Sequence, residues 1–248
     1  MTKLSVNVNK IAVLRNARGG SYPNVLFLTE LCIKSGADGI TVHPRNDLRH
    51  IKPADVQQIR KLTQKHFTEF NIEGNPFSEE SKDYPGFLSL VQENKPEQCT
   101  LVPDEPSQLT SDHGWDLKKM DKDLSDIIKI LKAQKIRVSL FLDPDTKQIT
   151  RAKEIGADRV ELYTGPYANS FVDLNQREKL LYTYKEAVDH AISIGLQVNA
   201  GHDLNLKNLR TFLEIGTIKE VSIGQALISD ALVHGLEETV KLYLNECK

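Results

Sequence analysis

The chain has 248 residues, of which 40% are hydrophobic and 27% are charged, and its formal net charge is −2. This length suits one (β/α)8 barrel with a large core, and the small net charge provides no overall field that would attract nucleic acid. No segment approaches the ~18 apolar residues that cross a membrane, and the N-terminus predicts a strand rather than a signal peptide, so we expect a cytoplasmic protein with no nucleic-acid or membrane partner.

Strand-like and helical segments alternate eight times along the chain. The predicted strands cover residues 4–8, 39–42, 68–72, 98–102, 137–142, 159–163, 197–200 and 220–223. The predicted helices cover about 22–34, a stretch that starts at 52, part of 78–93, about 121–133, 146–155, 173–194, 206–214 and 225–245. This alternation predicts an α/β fold, a (β/α)8 TIM barrel that forms a single domain over residues 1–248. The polar stretch 74–86 is expected to be a loop over the barrel mouth.

The segment after the first predicted strand reads NVNKIAVLRNARGG, residues 7–20. It carries Lys10, Arg15 and Arg18 and ends in two glycines. Cations and exposed backbone N–H groups suit phosphate recognition. A solvated loop with scattered cations would have the same composition, so the pattern alone leaves both interpretations open.

The segment after the second predicted strand reads TVHPRNDLRH, residues 41–50. The combination of His43, Arg45 and His50 favours an anionic substrate together with an acid/base group. Their spacing matches no metal-binding signature, and the three cysteines of the chain lie far apart, so we expect no metal.

Two carboxyl groups also lie in or directly after predicted strands. Glu73 follows the third predicted strand, and Glu161 lies in the sixth. A carboxyl group that is buried at a barrel mouth can have a raised pKa and act as a base near neutral pH. A salt bridge to Arg45 or Lys10 would also explain either glutamate, so this pattern has a purely structural interpretation as well.

Glycines mark the last two strand ends. Gly201 permits close approach of the backbone to a ligand and places His202 at the mouth. Gly224 precedes the last helix, whose first N–H groups can bind phosphate, a common phosphate position in such barrels.

At these segments the chain resembles the pyridoxine 5'-phosphate synthase family. The matching stretches are VNVNKIAVLRNARGG, GADGITVHPRNDLRHI, FNIEGN, CTLVPDEPSQLTSDHGWD, VSLFLDPD, ELYTGPYA, VNAGHDL and VSIGQALI, in order along almost the whole chain. The resemblance implies a barrel with extra helices and a homo-octamer. It also implies condensation of 1-deoxy-D-xylulose 5-phosphate with 3-amino-2-oxopropyl phosphate, with no metal or organic cofactor.

The resemblance also implies roles for single residues. His43 and Glu73 resemble the proton acceptors, His202 the proton donor, and Glu161 a transition-state stabiliser. The site for the amino-ketone phosphate would comprise Asn7, Arg18, His202 with the Asp203 backbone, Gly224 and Gln225. The site for the sugar phosphate would comprise Asn9, Lys10, Arg45, His50 and Thr110.

The chain departs from the common family pattern at a few of these positions. The family commonly has Asp-His where this chain has Asn9-Lys10, Gly where it has Asp203, and His where it has Gln225. Two alternatives stay open: a Schiff-base aldolase that uses Lys10, which borohydride would trap, and a non-catalytic phosphosugar-binding barrel, which would bind without turnover.

Overall fold

The computed structural model describes the backbone of residues 1–248 and all side chains except those of residues 120 and 121. Eight parallel strands close into a barrel in their order along the chain, and a small antiparallel hairpin lies outside it. The strands are β1 (Lys3–Asn7), β2 (Gly39–Val42), β3 (Glu69–Gly74), the hairpin strands β4 (Glu80–Ser81) and β5 (Tyr84–Pro85), β6 (Gln98–Leu101), β7 (Arg137–Leu142), β8 (Arg159–Tyr163), β9 (Gln197–Gly201) and β10 (Glu220–Ile223). The predicted barrel is confirmed, and every barrel strand lies within two residues of its predicted bounds.

Helices surround the barrel. They are α1 (Asn9–Asn16), α2 (Val25–Lys34), α3 (Pro53–His66), α4 (Phe87–Asn94), α5 (Leu117–Ala133), α6 (Thr146–Glu154), α7 (Gly165–Asn169), α8 (Leu174–Ser193), α9 (Leu209–Leu213), α10 (Gln225–His234) and α11 (Leu236–Glu246). In the described part of the chain, no helix is long and apolar enough to cross a membrane.

The interpretation of residues 7–20 as a solvated loop with scattered cations is wrong, because α1 occupies more than half of that segment. Its buried face is formed by Ile11, Ala12 and Arg15. The Arg15 guanidinium donates hydrogen bonds of 2.6 and 2.8 Å to the Asp55 carboxylate at the start of α3. Arg15 therefore anchors two helices to each other and is not a solvated cation.

Two predicted helices differ most from the observed ones, while α5 begins four residues earlier than predicted and α9 is shorter than predicted at both ends. The helix predicted within residues 78–93 begins only at Phe87, since the hairpin of β4 and β5 takes up the preceding residues. The helix predicted for residues 225–245 is divided at Gly235, whose φ is 80°. This left-handed backbone conformation, which glycine adopts without strain, ends α10 and lets α11 pack against α2 and β1.

Polar side chains fill the interior of the barrel. Along β3 the buried apolar residues Phe70 and Ile72 alternate with Glu69, Asn71 and Glu73, and successive side chains of a strand point to opposite faces. Asn71 shares hydrogen bonds of 3.4 and 3.2 Å with threonines of β2 and β6. Barrel interiors are usually filled by bulky apolar residues. Here the apolar core lies between the sheet and the helices, while a polar column leads up to the mouth.

Candidate active site

A cavity of about 340 Å3 opens at the carboxyl ends of the barrel strands. Each barrel strand, or the loop that follows it, contributes to the wall. The predicted site residues that line the cavity are Asn7, Asn9, Lys10, His43, Glu73, Thr110, Glu161, His202, Asp203, Gly224 and Gln225. The predicted residues Arg18, Arg45 and His50 are not part of this wall.

Arg45 is buried beside the cavity and holds the loop that follows β6. Its guanidinium is paired with the Asp104 carboxylate and donates a hydrogen bond of 2.7 Å to the Gln108 carbonyl. Nε2 of His43 lies 3.5 Å from the same Asp104 carboxylate. Asp104 therefore joins the loops after β2 and β6 directly behind His43.

His50 and Arg18 also lie outside the wall, for different reasons. The His50 ring is buried, and its Nδ1 accepts a hydrogen bond of 3.0 Å from the Ile51 N–H. Its ring stands edge-on to His43, with 6.0 Å between the ring centroids. Arg18 follows α1 and is exposed to solvent. In this structure His50 supports His43 from behind, and Arg18 makes no part of the cavity.

Both histidines of this region are neutral at physiological pH. Burial lowers the pKa of His43 to about 3, and the charges of Arg45 and Arg49 add to the effect. Burial likewise lowers the pKa of His50 to about 3, with further contributions from His43 and Arg45. Because the His43 imidazole at the cavity wall is neutral, one of its ring nitrogens is free to accept a proton from a bound substrate.

Glu73 is held at the base of the cavity by polar neighbours. Its Oε1 accepts hydrogen bonds of 3.3 Å from the Ser222 hydroxyl and from the Asn71 amide, and its Oε2 accepts one of 3.5 Å from Asn7. Burial raises the pKa of Glu73 well above its usual range, and repulsion from Glu161 adds to the rise. Burial therefore favours the protonated form of Glu73 in the free protein.

Glu161 lies across the barrel from Glu73, on β8. Burial raises its pKa to about 8, and repulsion from Glu220 deeper in the barrel contributes. The Thr100 hydroxyl donates a hydrogen bond of 3.4 Å to its Oε2. A side chain at Gly201 would collide with Oε1 of Glu161, so this glycine leaves room for the carboxyl group.

His202 lies at the rim of the cavity, directly after β9. Its Nε2 forms a hydrogen bond of 2.9 Å with the Thr110 hydroxyl, and its Nδ1 forms one of 2.8 Å with the Asp203 carboxylate. Thr110 belongs to the loop after β6, so this contact draws that loop across the mouth. The rim thus places an imidazole where it can exchange a proton with a bound molecule.

Two helices begin at the cavity wall. α10 begins at Gln225, directly after Gly224, and a side chain at Gly224 would press against Asn7 at about 3.1 Å. α1 begins at Asn9, and Lys10 in its first turn lines the cavity. The free N–H groups and the positive end of a helix dipole attract anions. The first turn of α10 and the Lys10 side chain on α1 therefore offer two places for a phosphate group, while the Asn9 N–H of α1 already donates to the Asn7 side chain.

Some residues of the site were not identified from the sequence. Asp104 and Ser222 are among them, although Ser222 follows the period-two pattern of inward polar positions in β10. The stretch 74–86, which was expected to cover the mouth, contributes no residue to the cavity wall in the described structure; residues 109–111 contribute instead. The described side chains also include no group of three His, Cys, Asp or Glu residues that could hold a metal ion.

Comparison with known proteins shows that this chain matches one family over almost its whole length. The model of the family described as "Pyridoxal phosphate biosynthesis protein PdxJ" matches residues 4–248. The pyridoxine 5'-phosphate synthase of Xanthomonas oryzae pv. oryzae is 52% identical over 245 residues, which are 98% of this chain and 96% of that protein. The protein of the same name from Cytophaga hutchinsonii is 50% identical over 249 residues and covers both chains completely, at 100% each.

Solved structures share the fold at low sequence identity. Thiamine phosphate pyrophosphorylase from Pyrococcus furiosus has a TM-score of 0.63 at 14% identity, with 99% of this chain and 95% of that chain covered. Tryptophan synthase from M. tuberculosis has a TM-score of 0.65 at 12% identity, with 99% of this chain and 91% of that chain covered. At such identities the likeness concerns the fold alone.

Proposed function

The chain belongs to the family of the pyridoxal phosphate biosynthesis protein PdxJ, and we propose that its barrel mouth condenses 1-deoxy-D-xylulose 5-phosphate with 3-amino-2-oxopropyl phosphate. The products are pyridoxine 5'-phosphate, inorganic phosphate and water. One observation carries the proposal: a single cavity holds a neutral histidine, two carboxyl groups with raised pKa values, a second histidine and the N-termini of two helices. Two phosphorylated substrates and a series of proton transfers need this combination of groups.

The two helix N-termini are proposed to hold the two phosphate groups. The amino-ketone phosphate would lie against α10, near Asn7, Gly224, Gln225 and the backbone of Asp203. Arg18 is exposed outside the cavity, so this part of the proposal rests on the other residues.

The sugar phosphate would lie at the start of α1, near Asn9, Lys10 and Thr110. Arg45 is paired with Asp104 in the free protein. It would have to exchange this carboxylate for the phosphate in order to contribute, and His50 would then support the site from behind.

The protonation states suit the proposed condensation. The substrate supplies its own amine, so formation of the imine needs no lysine of the protein. His43, which is neutral, accepts protons, and His202 on the opposite rim donates them. Burial raises the pKa of Glu73 in the free protein, and Glu73 becomes an acceptor when the ammonium group of the amino ketone lowers that pKa, because an opposite charge favours the carboxylate. The positive charge that develops on the imine nitrogen would likewise lower the pKa of Glu161, so that its carboxylate stabilises this charge.

Exposed apolar side chains support the proposal of a homo-octamer. Leu14 on α1, Phe27 on α2, and Leu232 and Val233 on α10 are all exposed, and α1 contacts both α2 and α10. Exposed apolar side chains on helices that contact each other are typical of a protein–protein interface. Sedimentation equilibrium tests the proposal, since an octamer of the 27.9-kDa chain is easily separated from a monomer. We also propose that the enzyme acts in the cytoplasm.

The test of the function is a two-substrate assay with two readouts. Purified protein is mixed with both phosphorylated substrates, and the absorbance of pyridoxine 5'-phosphate is followed together with the release of inorganic phosphate. The proposal predicts equal amounts of both products and none when either substrate is left out. Binding of deoxyxylulose phosphate without any product would instead favour a non-catalytic phosphosugar-binding barrel.

A further inference from the structure

The His202 side chain is fixed from several sides. Nδ1 lies 2.8 Å from the Asp203 carboxylate, and Nε2 lies 2.9 Å from the Thr110 hydroxyl. The ring of Tyr163 packs against the imidazole at a centroid distance of 5.2 Å and an interplanar angle of 74°. Such a set of contacts leaves the imidazole one orientation, with Nε2 toward the cavity.

The backbone of this loop is held in an unusual conformation. His202 and Asp203 have φ values of 90° and 62°, in the left-handed region that side chains rarely adopt. The Thr164 hydroxyl contacts the carbonyl oxygens of Gly201 and His202, at 2.7 and 2.5 Å. This conformation turns the Asp203 side chain back onto the neighbouring imidazole, which a regular strand or helix would not allow.

We infer that the Asp203 carboxylate is a positioning residue for His202, holding Nδ1–H so that Nε2 delivers the proton to the bound substrate. The inference rests on the proposed role of His202 as proton donor and adds a side-chain role to Asp203, for which only a backbone contact with phosphate was expected. A carboxylate at Nδ1 selects the tautomer and stabilises the imidazolium that a proton donor must reach.

The charges around the pair are compatible with this role. The hydrogen bond with His202 lowers the pKa of Asp203, and the nearby ammonium of Lys10 adds to the effect. Asp203 therefore remains a carboxylate through the neutral range, and Lys10 offsets its repulsion of an incoming phosphate. The other titratable groups facing the pair from neighbouring elements are Tyr163, Asp112, Asp143 and Glu161.

Two substitutions separate the charge of Asp203 from its hydrogen bond. Asp203→Asn keeps an acceptor for Nδ1–H but carries no charge, and Asp203→Gly removes both. Asn and Gly tolerate the left-handed backbone, so both variants are expected to fold. The control is Glu30→Gln, which removes a carboxylate from another carboxylate–imidazole pair, that of Glu30 with His66, at 3.2 Å on the outer helices.

The measurement is kcat and KM for both substrates as a function of pH. We expect Asp203→Asn to lower kcat about 10-fold, a part of the ~10²–10⁴ that a positioned acid contributes, and Asp203→Gly to lower it at least as far. In both variants the fall of kcat with rising pH should begin at lower pH, because the imidazolium has lost its stabilising charge. Glu30→Gln should leave both quantities unchanged.

A wild-type kcat and pH profile in Asp203→Gly would overturn the inference. So would a rise in KM for the amino ketone alone, which indicates that only the phosphate contact was disturbed. Nitrogen-15 NMR of His202 gives a readout that does not need turnover: the wild type should carry its proton on Nδ1, and Asp203→Gly should lose this preference. A wild type that forms no product would refute the proposed function, whereas an Nε2–H tautomer in the wild type would refute this inference.

Discussion

The Asn9 side chain accepts a hydrogen bond of 2.9 Å from the backbone N–H of His43. The bond joins the start of α1 to the end of β2, and it fixes the backbone that carries the proposed base. Asn9 is thus a structural neighbour of His43 as well as a candidate contact for the sugar phosphate.

Substitutions of Asn9 should separate these two roles. Asn9→Ala leaves the His43 N–H without its acceptor, so we expect kcat to fall ~10-fold or more, as for a catalytic group displaced by a fraction of an ångström. Asn9→Asp keeps an acceptor and should retain most of the turnover. Steady-state kinetics of both variants test whether this hydrogen bond positions His43. Equal kcat values for the two would show that the hydrogen bond does not position His43.

The buried His50 should make the stability of the protein depend on pH. Its pKa is about 3 in the folded chain and near its ordinary value of 6.5 in the unfolded chain. Between pH ~3 and ~6.5 the His50 imidazole therefore binds a proton in the unfolded chain but not in the folded chain. The contribution of the neutral His50 to the free energy of unfolding is fully present above pH ~6.5 and is lost as the pH falls toward 3.

His50→Asn tests this effect, because the Asn oxygen can accept the hydrogen bond of the Ile51 N–H without titrating. Between pH 7 and 5 the variant should lose about 2 kcal/mol less unfolding free energy than the wild type. Urea unfolding at several pH values measures the difference. Parallel curves for the two proteins would mean that His50 titrates equally in the folded and unfolded chains.

Gly201 should be required for activity because any larger residue would displace the Glu161 carboxyl group. A Cβ at this position would collide with Oε1 of Glu161 and lie 3.4 Å from the Ser222 carbonyl. Gly201→Ala should therefore displace the carboxyl group and lower kcat by ~10²-fold. Gly20→Ala is the matched control, since nothing lies within 4 Å of its added methyl group. Unimpaired kcat in Gly201→Ala would remove Glu161 from the proposed mechanism.

Lys10 should bind the phosphate of the sugar substrate. Lys10→Met should raise KM for deoxyxylulose phosphate by a factor equivalent to ~1.5–3 kcal/mol, as for a hydrogen bond to a charged group, and should leave KM for the amino ketone nearly unchanged. Lys129→Met, which removes an exposed cation paired with Asp126 on α5, is the control. If KM for the amino ketone rose instead, the two phosphate sites would have to be exchanged.

Borohydride treatment in the presence of deoxyxylulose phosphate tests the alternative use of Lys10. The proposed function predicts no covalent adduct on this lysine, because the amine that forms the imine belongs to the substrate. An adduct on Lys10 that is absent in Lys10→Met would favour a Schiff-base aldolase.

The barrel could be predicted because short apolar strands and amphipathic helices alternate with clear end signals. The missed helix α1 had a signal too: Ile11, Ala12 and Arg15 share the spacing of one helix face, but the cations of the segment suggested a phosphate loop. The polar interior of the barrel was also readable, from the period-two pattern of Glu69, Asn71 and Glu73.

The contacts of Arg45 and His50 could not be predicted in the same way. Arg45 pairs with Asp104, a residue 59 positions away, and only the closed barrel brings the two loops together. The burial that makes His50 neutral depends on the packing of the whole rim. The sequence predicts most of the groups at the mouth but not Asp104 or Ser222, and the tertiary structure determines which of these groups face the cavity.

The most direct measurement for the proposed mechanism is the rate of pyridoxine 5'-phosphate formation by His43→Ala beside the wild type. His43 faces the cavity as a neutral imidazole, and a positioned general base contributes ~10²–10⁴-fold to a rate. We expect the wild type to form the product and the variant to show a kcat that is lower by this factor, with little change in KM. A variant that turns over at the wild-type rate would contradict the assignment of this cavity's chemistry to His43.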